Sequence, residues 1–156
     1  MKSNLELAES AVELVLPAID NMFKQAKRKE LHIVVINPTV KPWESDFESA
    51  ILFQRSLGNP ESWAVEFDKL ARAKAKQAWK HSFSNIDIQS KHPTLLEEGD
   101  VLWSGSFVYG GIVVACSGVE PEFDMLASGL IAVAFEQLAV HEYHNDKLSE
   151  PMKTFR

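Results

Sequence analysis

The stretch NPESWAVEFDKLARAKAKQAWKHS, Asn59 to Ser82, organises the rest of the chain around it. Asn59 is a favoured N-cap and Pro60 suits a first helical turn, so the stretch is expected to be one helix. At about 100° per residue, Lys69, Arg72, Lys76 and Lys80 form one stripe that should face water. Glu66 and Asp68 lie beside it, as on a solvated face. Lys74 falls almost opposite, between Trp63, Phe67, Leu70, Ala71 and Ala78. A lysine in the middle of an apolar face sheds water and needs a carboxylate, carbonyls or a ligand to compensate. The alternative is that its stem lies on apolar surface while the ammonium escapes at an edge. His81, two turns on, is placed either to line the same cleft or to sit near the helix end, where a cation is favoured.

Upstream, Gly58-Asn59-Pro60 turns the chain out of an expected strand, Ser49 to Leu57. Leu31 to Asn37 is β-branched and apolar and predicts a buried strand. Ser3-Asn4-Leu5-Glu6 resembles a capping box and opens a helix towards Lys29, which Pro17 should kink or split. Downstream, residues 83–100 read as irregular, with a short helix at Thr94 to Glu98. Val101 to Val108 and Ile112 to Ser117 predict two strands joined by a tight turn at Tyr109-Gly110-Gly111. Glu120-Pro121-Glu122 opens a last helix that runs to about His144. The expectation is a single α/β domain of the α+β kind over residues 1–147, followed by a polar tail, 148–156.

The last helix is apolar nearly all round, through Phe123, Leu126, Ala127, Leu130, Ile131, Val133, Ala134, Phe135 and Leu138. A helix lying on one sheet needs a single apolar stripe. The second apolar face calls for another layer, either within the subunit or from a neighbouring one, and a homo-oligomer is the favoured expectation.

Bulk properties narrow the function classes. The 156 residues suffice for one domain with a real core. A net charge of -6 argues against a general nucleic-acid binder. Cys116 is the only cysteine, which forbids an internal disulfide, and its Val113-Val114-Ala115-Cys116 setting predicts a packed, inert thiol. The N-terminus lacks a signal-peptide pattern. The apolar run Met125 to Val140 is shorter than the ~20 residues of a membrane span. A cytoplasmic location without membrane attachment follows as the default expectation.

Catalytic and metal motifs are sparse. His141-Glu142-Tyr143-His144 spaces its histidines three apart, unlike the zinc-protease pattern, and predicts a surface helix end rather than a metal site. Gly105-Ser106-Phe107-Val108-Tyr109-Gly110 lacks the spacing of a nucleophile elbow. No phosphate loop or dinucleotide fingerprint appears. Trp43, Trp63, Trp79 and Trp103 are read as core or interface residues.

Several short segments together resemble the GlcG/HbpS-like family. Arg55-Ser56-Leu57-Gly58-Asn59-Pro60 followed by Ala71-Arg72-Ala73-Lys74-Ala75-Lys76-Gln77-Ala78 is similar to its Arg-x-x-Gly turn and Lys-Ala-x-x-Ala helix. Gly111 to Gly118, ending Cys116-Ser117-Gly118, resembles its glycine-bounded strand. Glu120-Pro121-Glu122-Phe123-Asp124 and Ala127-Ser128-Gly129-Leu130 resemble its acidic helix start and small-residue helix. A branch of uncharacterised proteins described as haem-degrading is similar around Trp63 and through Lys74 to Ser82. The chain departs from the family at Asn37-Pro38, where a Gly-containing turn is usual, and at Ser104-Gly105-Ser106-Phe107, which replaces a Gly-Gly-x-Pro segment. The resemblance implies a profilin-like fold, an antiparallel sheet covered by helices, often assembled into dimers or rings. It also implies haem as a candidate ligand, and carries over Lys74 and Asp124 as pocket residues.

The combined expectation is a cytoplasmic, oligomeric module binding an anionic organic ligand, haem among the candidates. Lys74 would supply charge, Arg55 would stand at the rim, and Asp124 would be a counter-ion or cap its helix. Two alternatives stand beside it. One is a small-metabolite enzyme using Lys74 as a base or Schiff-base nucleophile. The other is a structural or adaptor protein working through the last helix, with Lys74 in a buried ion pair.

Overall fold

The fold is built on Leu31–Ile36 (β1) and Ile112–Ser117 (β4), whose residues are all buried. In the computed structural model, which describes residues 2–147, these two strands pair antiparallel at the centre of a four-stranded sheet. Ile51–Leu57 (β2) flanks β1 and Ser106–Tyr109 (β3) flanks β4, giving the order β2-β1-β4-β3, antiparallel throughout. β3 and β4 form a hairpin, and Gly110 takes the left-handed conformation its tight turn needs (φ 59°).

Strands buried on both faces need a layer on each side. One face carries Leu31, Ile33, Val35, Ile112, Val114 and Cys116, covered by Asn4–Gln25 (α1) and Pro121–Lys147 (α5). The other carries Val34, Ile36, Val113 and Ala115, covered by Phe67–His81 (α3) through Ala71, Ala75, Ala78 and Trp79. Two short helices, Phe47–Ala50 (α2) and Asn85–Lys91 (α4), complete a single α+β domain. The sheet covered by helices is as the sequence leads one to expect; residues 148–156, read as a polar tail, lie outside the described residues.

Four local expectations change. The Asn59 helix is interrupted: Pro60–Ser62 forms a turn of 3-10 helix, and α3 starts afresh at Phe67. Asn59 makes no side-chain capping bond, and the apolar Trp63 turns its ring edge onto Phe67 (5.5 Å) instead of continuing the helix. Pro17 neither splits nor ends α1, because it lies on the exposed side. The carbonyl that it deprives of a partner, that of Glu13, can turn to water. The strand expected from Val101 begins only at Ser106. Residues 85–91 form α4 rather than irregular chain, because Asn85 is anchored by tertiary bonds: its amide reaches the Lys74 carbonyl (3.0 Å) and Gln77 (2.9 Å), while its Oδ1 accepts from Ser106 N–H (3.0 Å).

By length and composition, α5 could also cross a membrane. In this fold it is a core helix. Ala127, Ile131, Ala132 and Phe135 are buried against the sheet, and the Ser128 hydroxyl donates to the Gly105 carbonyl (2.6 Å).

Candidate functional site

Of the two alternatives for Lys74 the structure takes the buried one: 2% of the residue is exposed, so the ammonium does not escape at an edge. Its ammonium reaches past the end of β4 and donates to three acceptors: the Cys116 carbonyl (3.1 Å), the Ser117 hydroxyl (3.2 Å) and Asp124 Oδ2 (3.4 Å). Asp124 lies in the first turns of α5 and also accepts from Gly118 N–H (3.3 Å) and, through Oδ1, from Val119 N–H (3.0 Å). The pair therefore ties α3, on one face of the sheet, to the start of α5, on the other.

Burial pulls the Lys74 pKa down, with the Asp124 charge acting against it. Burial likewise pushes Asp124 up, opposed by Lys74 and the two backbone N–H groups. Each charge thus depends on the other to persist indoors. Cys116, beside them but facing the α1–α5 layer, is fully buried and its thiol is pushed up to about 12, so it stays protonated and unreactive, as its sequence context predicts.

Gly105 makes room for the ammonium. A Cβ there would stand 2.7 Å from Lys74 Nζ and 2.5 Å from the Cys116 carbonyl oxygen, at a φ of +154°. Gly118 allows the chain to pass Glu30 in the same way (2.4 Å to its carbonyl oxygen).

The pair floors a cleft of about 220 Å³. Val65, Phe67, Leu70, Trp103, Val119 and Pro121 make its walls apolar, with Ser117 beside the floor and Arg28 and Glu120 at the mouth. Arg28 is exposed, its guanidinium 5.7 Å from the Phe67 ring centre, and among the described residues no carboxylate pairs with it. Trp103 is 61% exposed, on the irregular segment before β3.

Two of the four expected site residues are brought together, Lys74 and Asp124. Arg55 is not at the rim. It sits in β2 opposite Ile33, on the α1 side of the sheet, and pairs with Glu13 (2.5 Å). The alternation of strand side chains sends it to the face opposite Lys74. His81 lines a different groove, with Lys80, Glu97 and Asp100, because α3 carries it two turns beyond the cleft. Arg28 was not singled out, and Trp103, expected in the core or an interface, instead lines the cleft; both lie in loops, where no periodicity marks direction. The outer stripe of α3 is solvated as expected, with Lys69 paired to Glu66, Arg72 to Asp68 and Lys80 to Glu97.

The lining does not fit haem. No His, Cys, Met or Tyr, the side chains that usually hold haem iron, faces the cleft. Its volume also falls below the ~300–1,000 Å³ usual for drug-sized ligands. The histidines are elsewhere: His32 under β2, His92 stacked on Phe83 (4.5 Å), and His141 and His144 exposed at the end of α5.

No protein-family model matches the chain, and no curated protein matches it either.

Proposed function

We propose that the protein is a cytoplasmic binding domain whose cleft takes a small, partly apolar organic anion. The observation that carries this reading is a buried ammonium flooring a cleft with apolar walls, with a guanidinium at its mouth that no carboxylate among the described residues pairs with. A buried ion pair gives little stability that apolar residues could not match. Here it opens onto a concavity, where a charge held away from water acts strongly on a ligand. The Lys74 contacts, 3.1 to 3.4 Å, exceed the 2.7–2.9 Å typical of charge-assisted bonds. An entering carboxylate can therefore recruit the ammonium without breaking a short bond. The Ser117 hydroxyl, which accepts from Lys74, keeps its proton to donate, and Arg28 gives the second positive contact. The resemblance to the GlcG/HbpS-like family is compatible with a ligand-binding role, but the lining favours a small carboxylate over the macrocycle.

The enzyme reading has less support. Burial lowers the Lys74 pKa, as a Schiff base needs, but the nitrogen is directed at three acceptors, the Cys116 carbonyl, Ser117 and Asp124, rather than left free to attack a carbonyl.

Titration calorimetry with benzoate and isobutyrate as probes tests the proposal. Saturable binding is expected, weakened about tenfold or more in Arg28→Ala, since a charged hydrogen bond contributes about 1.5–3 kcal/mol. Lys74→Met alone should lower stability by about 3–5 kcal/mol, because Asp124 is left buried without its cation. Adding Asp124→Leu should restore folding but not binding. Failure of the wild type to bind either probe, or full binding by the folded double variant, would overturn the proposal.

A further inference from the structure

Beside the Lys74 cleft lies a second cavity of about 260 Å³, and the two share Arg28, Trp103, Val119, Glu120 and Pro121 as walls. Neither alone reaches the ~300 Å³ at which ligand sites usually begin. Their common lining makes them two ends of one cleft, which runs from the Lys74 ammonium past Arg28 to Lys27. Two cations fall there because α1 ends at Gln25 and β1 begins at Leu31, which leaves Lys27 and Arg28 in the connection. Gly118 lets the end of that connection cross the β4–α5 turn closely, since a Cβ on it would meet the Glu30 carbonyl oxygen at 2.4 Å. The crossing holds Lys27 and Arg28 beside Val119 and Pro121. Both cations are exposed, and among the described residues no carboxylate pairs with either. Trp103, 61% exposed, and Pro121 line both ends, so the path between the cations is apolar.

We infer that the cleft takes an elongated dianion, anionic at both ends and apolar between them, of which straight-chain dicarboxylates are the simplest class. One carboxylate goes to the Lys74 end, where Ser117 and Arg28 also donate. The other goes to Lys27, and the methylene chain lies along Trp103 and Pro121. A monocarboxylate long enough to reach the far end sets a methyl group beside an ammonium and displaces its water without replacing it. A second carboxylate replaces that water with a charge-assisted hydrogen bond. Glu120 is the one carboxylate lining the far end and opposes an anion there, but Lys27 and Arg28 outnumber it. The inference rests on the reading of the Lys74 end as a carboxylate site and adds a second anion subsite to it.

Titration calorimetry with matched pairs tests it: succinate against butyrate, adipate against hexanoate, suberate against octanoate. In at least one pair the dicarboxylate should bind about tenfold or more tightly than its partner, the factor that one charged hydrogen bond makes. Lys27→Gln should abolish that preference. Lys29→Gln removes the same charge from outside the lining, where the ammonium donates to the Phe23 carbonyl (2.7 Å), and should keep the preference. Glu120→Gln should widen it. All three side chains are exposed, so the fold does not depend on them. Equal binding within every pair, or a preference that survives Lys27→Gln, would sink the second subsite and leave the single-carboxylate reading standing. Loss of the preference in Lys29→Gln as well would reduce it to net charge and sink it too. If no carboxylate binds, both readings fall together.

Discussion

His32 shows how a single side chain is fixed by what its neighbours can donate. Its Nε2 lies 2.9 Å from Gln54 Oε1 and its Nδ1 2.8 Å from the Ser56 hydroxyl. Arg72 donates to the same Gln54 oxygen (3.3 Å), which supports the amide orientation, since arginine has no acceptor. Nε2 therefore carries the proton, Nδ1 accepts, and Ser56 donates. Each contact suits a neutral ring, and burial holds the His32 pKa below its ordinary 6.5. A depressed pKa sets the sign: the folded state resists protonation that the unfolded chain accepts. Stability should be full above pH 6.5 and should decline as pH falls through the window below it. Urea unfolding across that range checks this, and His32→Gln should flatten the decline. An equal decline in the variant would assign the effect to other groups.

At the same scale, Lys74 could be placed on the inward face of its helix from sequence, because that direction depends only on helical periodicity. Whether its ammonium stayed indoors could not be read, and neither could its company. The Cys116 carbonyl, Ser117 and Asp124 lie 42 to 50 residues away, and the space for the ammonium comes from the missing Cβ of Gly105. Arg55 was misplaced for a related reason. Its proximity in sequence to the Lys74 helix said nothing of the sheet face that strand pairing would give it.

Among the elements, α1 tests how far local rules bind. Its capping signal is realised, with Ser3 accepting from Glu6 N–H (3.2 Å). Its proline was expected to kink or split it, yet the helix is not split and runs from Asn4 to Gln25. One side of α1 is buried through Ala8, Ala11, Val12, Val15 and Ile19, and that packing outweighs a lost backbone bond on the exposed side. Pro17→Ala should restore the bond to the Glu13 carbonyl and remove the ring clash. The expected gain is about 1–3 kcal/mol, within the ~3 kcal/mol that proline costs in a helix interior. Thermal unfolding followed at 222 nm would show a higher midpoint; a lower one would mean that the proline is accommodated by packing. In α4 the converse holds. A weak local signal becomes a helix because Asn85 is pinned to α3 and β3.

For the whole molecule, β1 and β4 belong to both cores at once, with alternate side chains on each face. Losing either helical layer would expose the central strands, so the two layers should unfold together. No tryptophan belongs to the α1–α5 cluster, and Trp79 packs in the α3 layer, whereas α1 and α5 supply most of the helix. Tryptophan fluorescence and far-ultraviolet circular dichroism therefore report different layers. Their urea midpoints should coincide. Separate midpoints would show that the α3 layer, and the cleft with it, can open alone.

The chain by itself determined whatever depends on periodicity and composition. That includes the long first and last helices and the central strands, the inward direction of Lys74, the inert Cys116 and the surplus apolar face of α5. These are set by neighbours within a few residues, through the repeat of the backbone. Tertiary structure alone decided that Asp124 answers Lys74, that Arg28 rather than Arg55 stands at the cleft mouth, and that the lining holds no side chain suited to haem iron. Those facts come from chain crossings between distant segments, where small differences in loop path and strand face determine which charges meet.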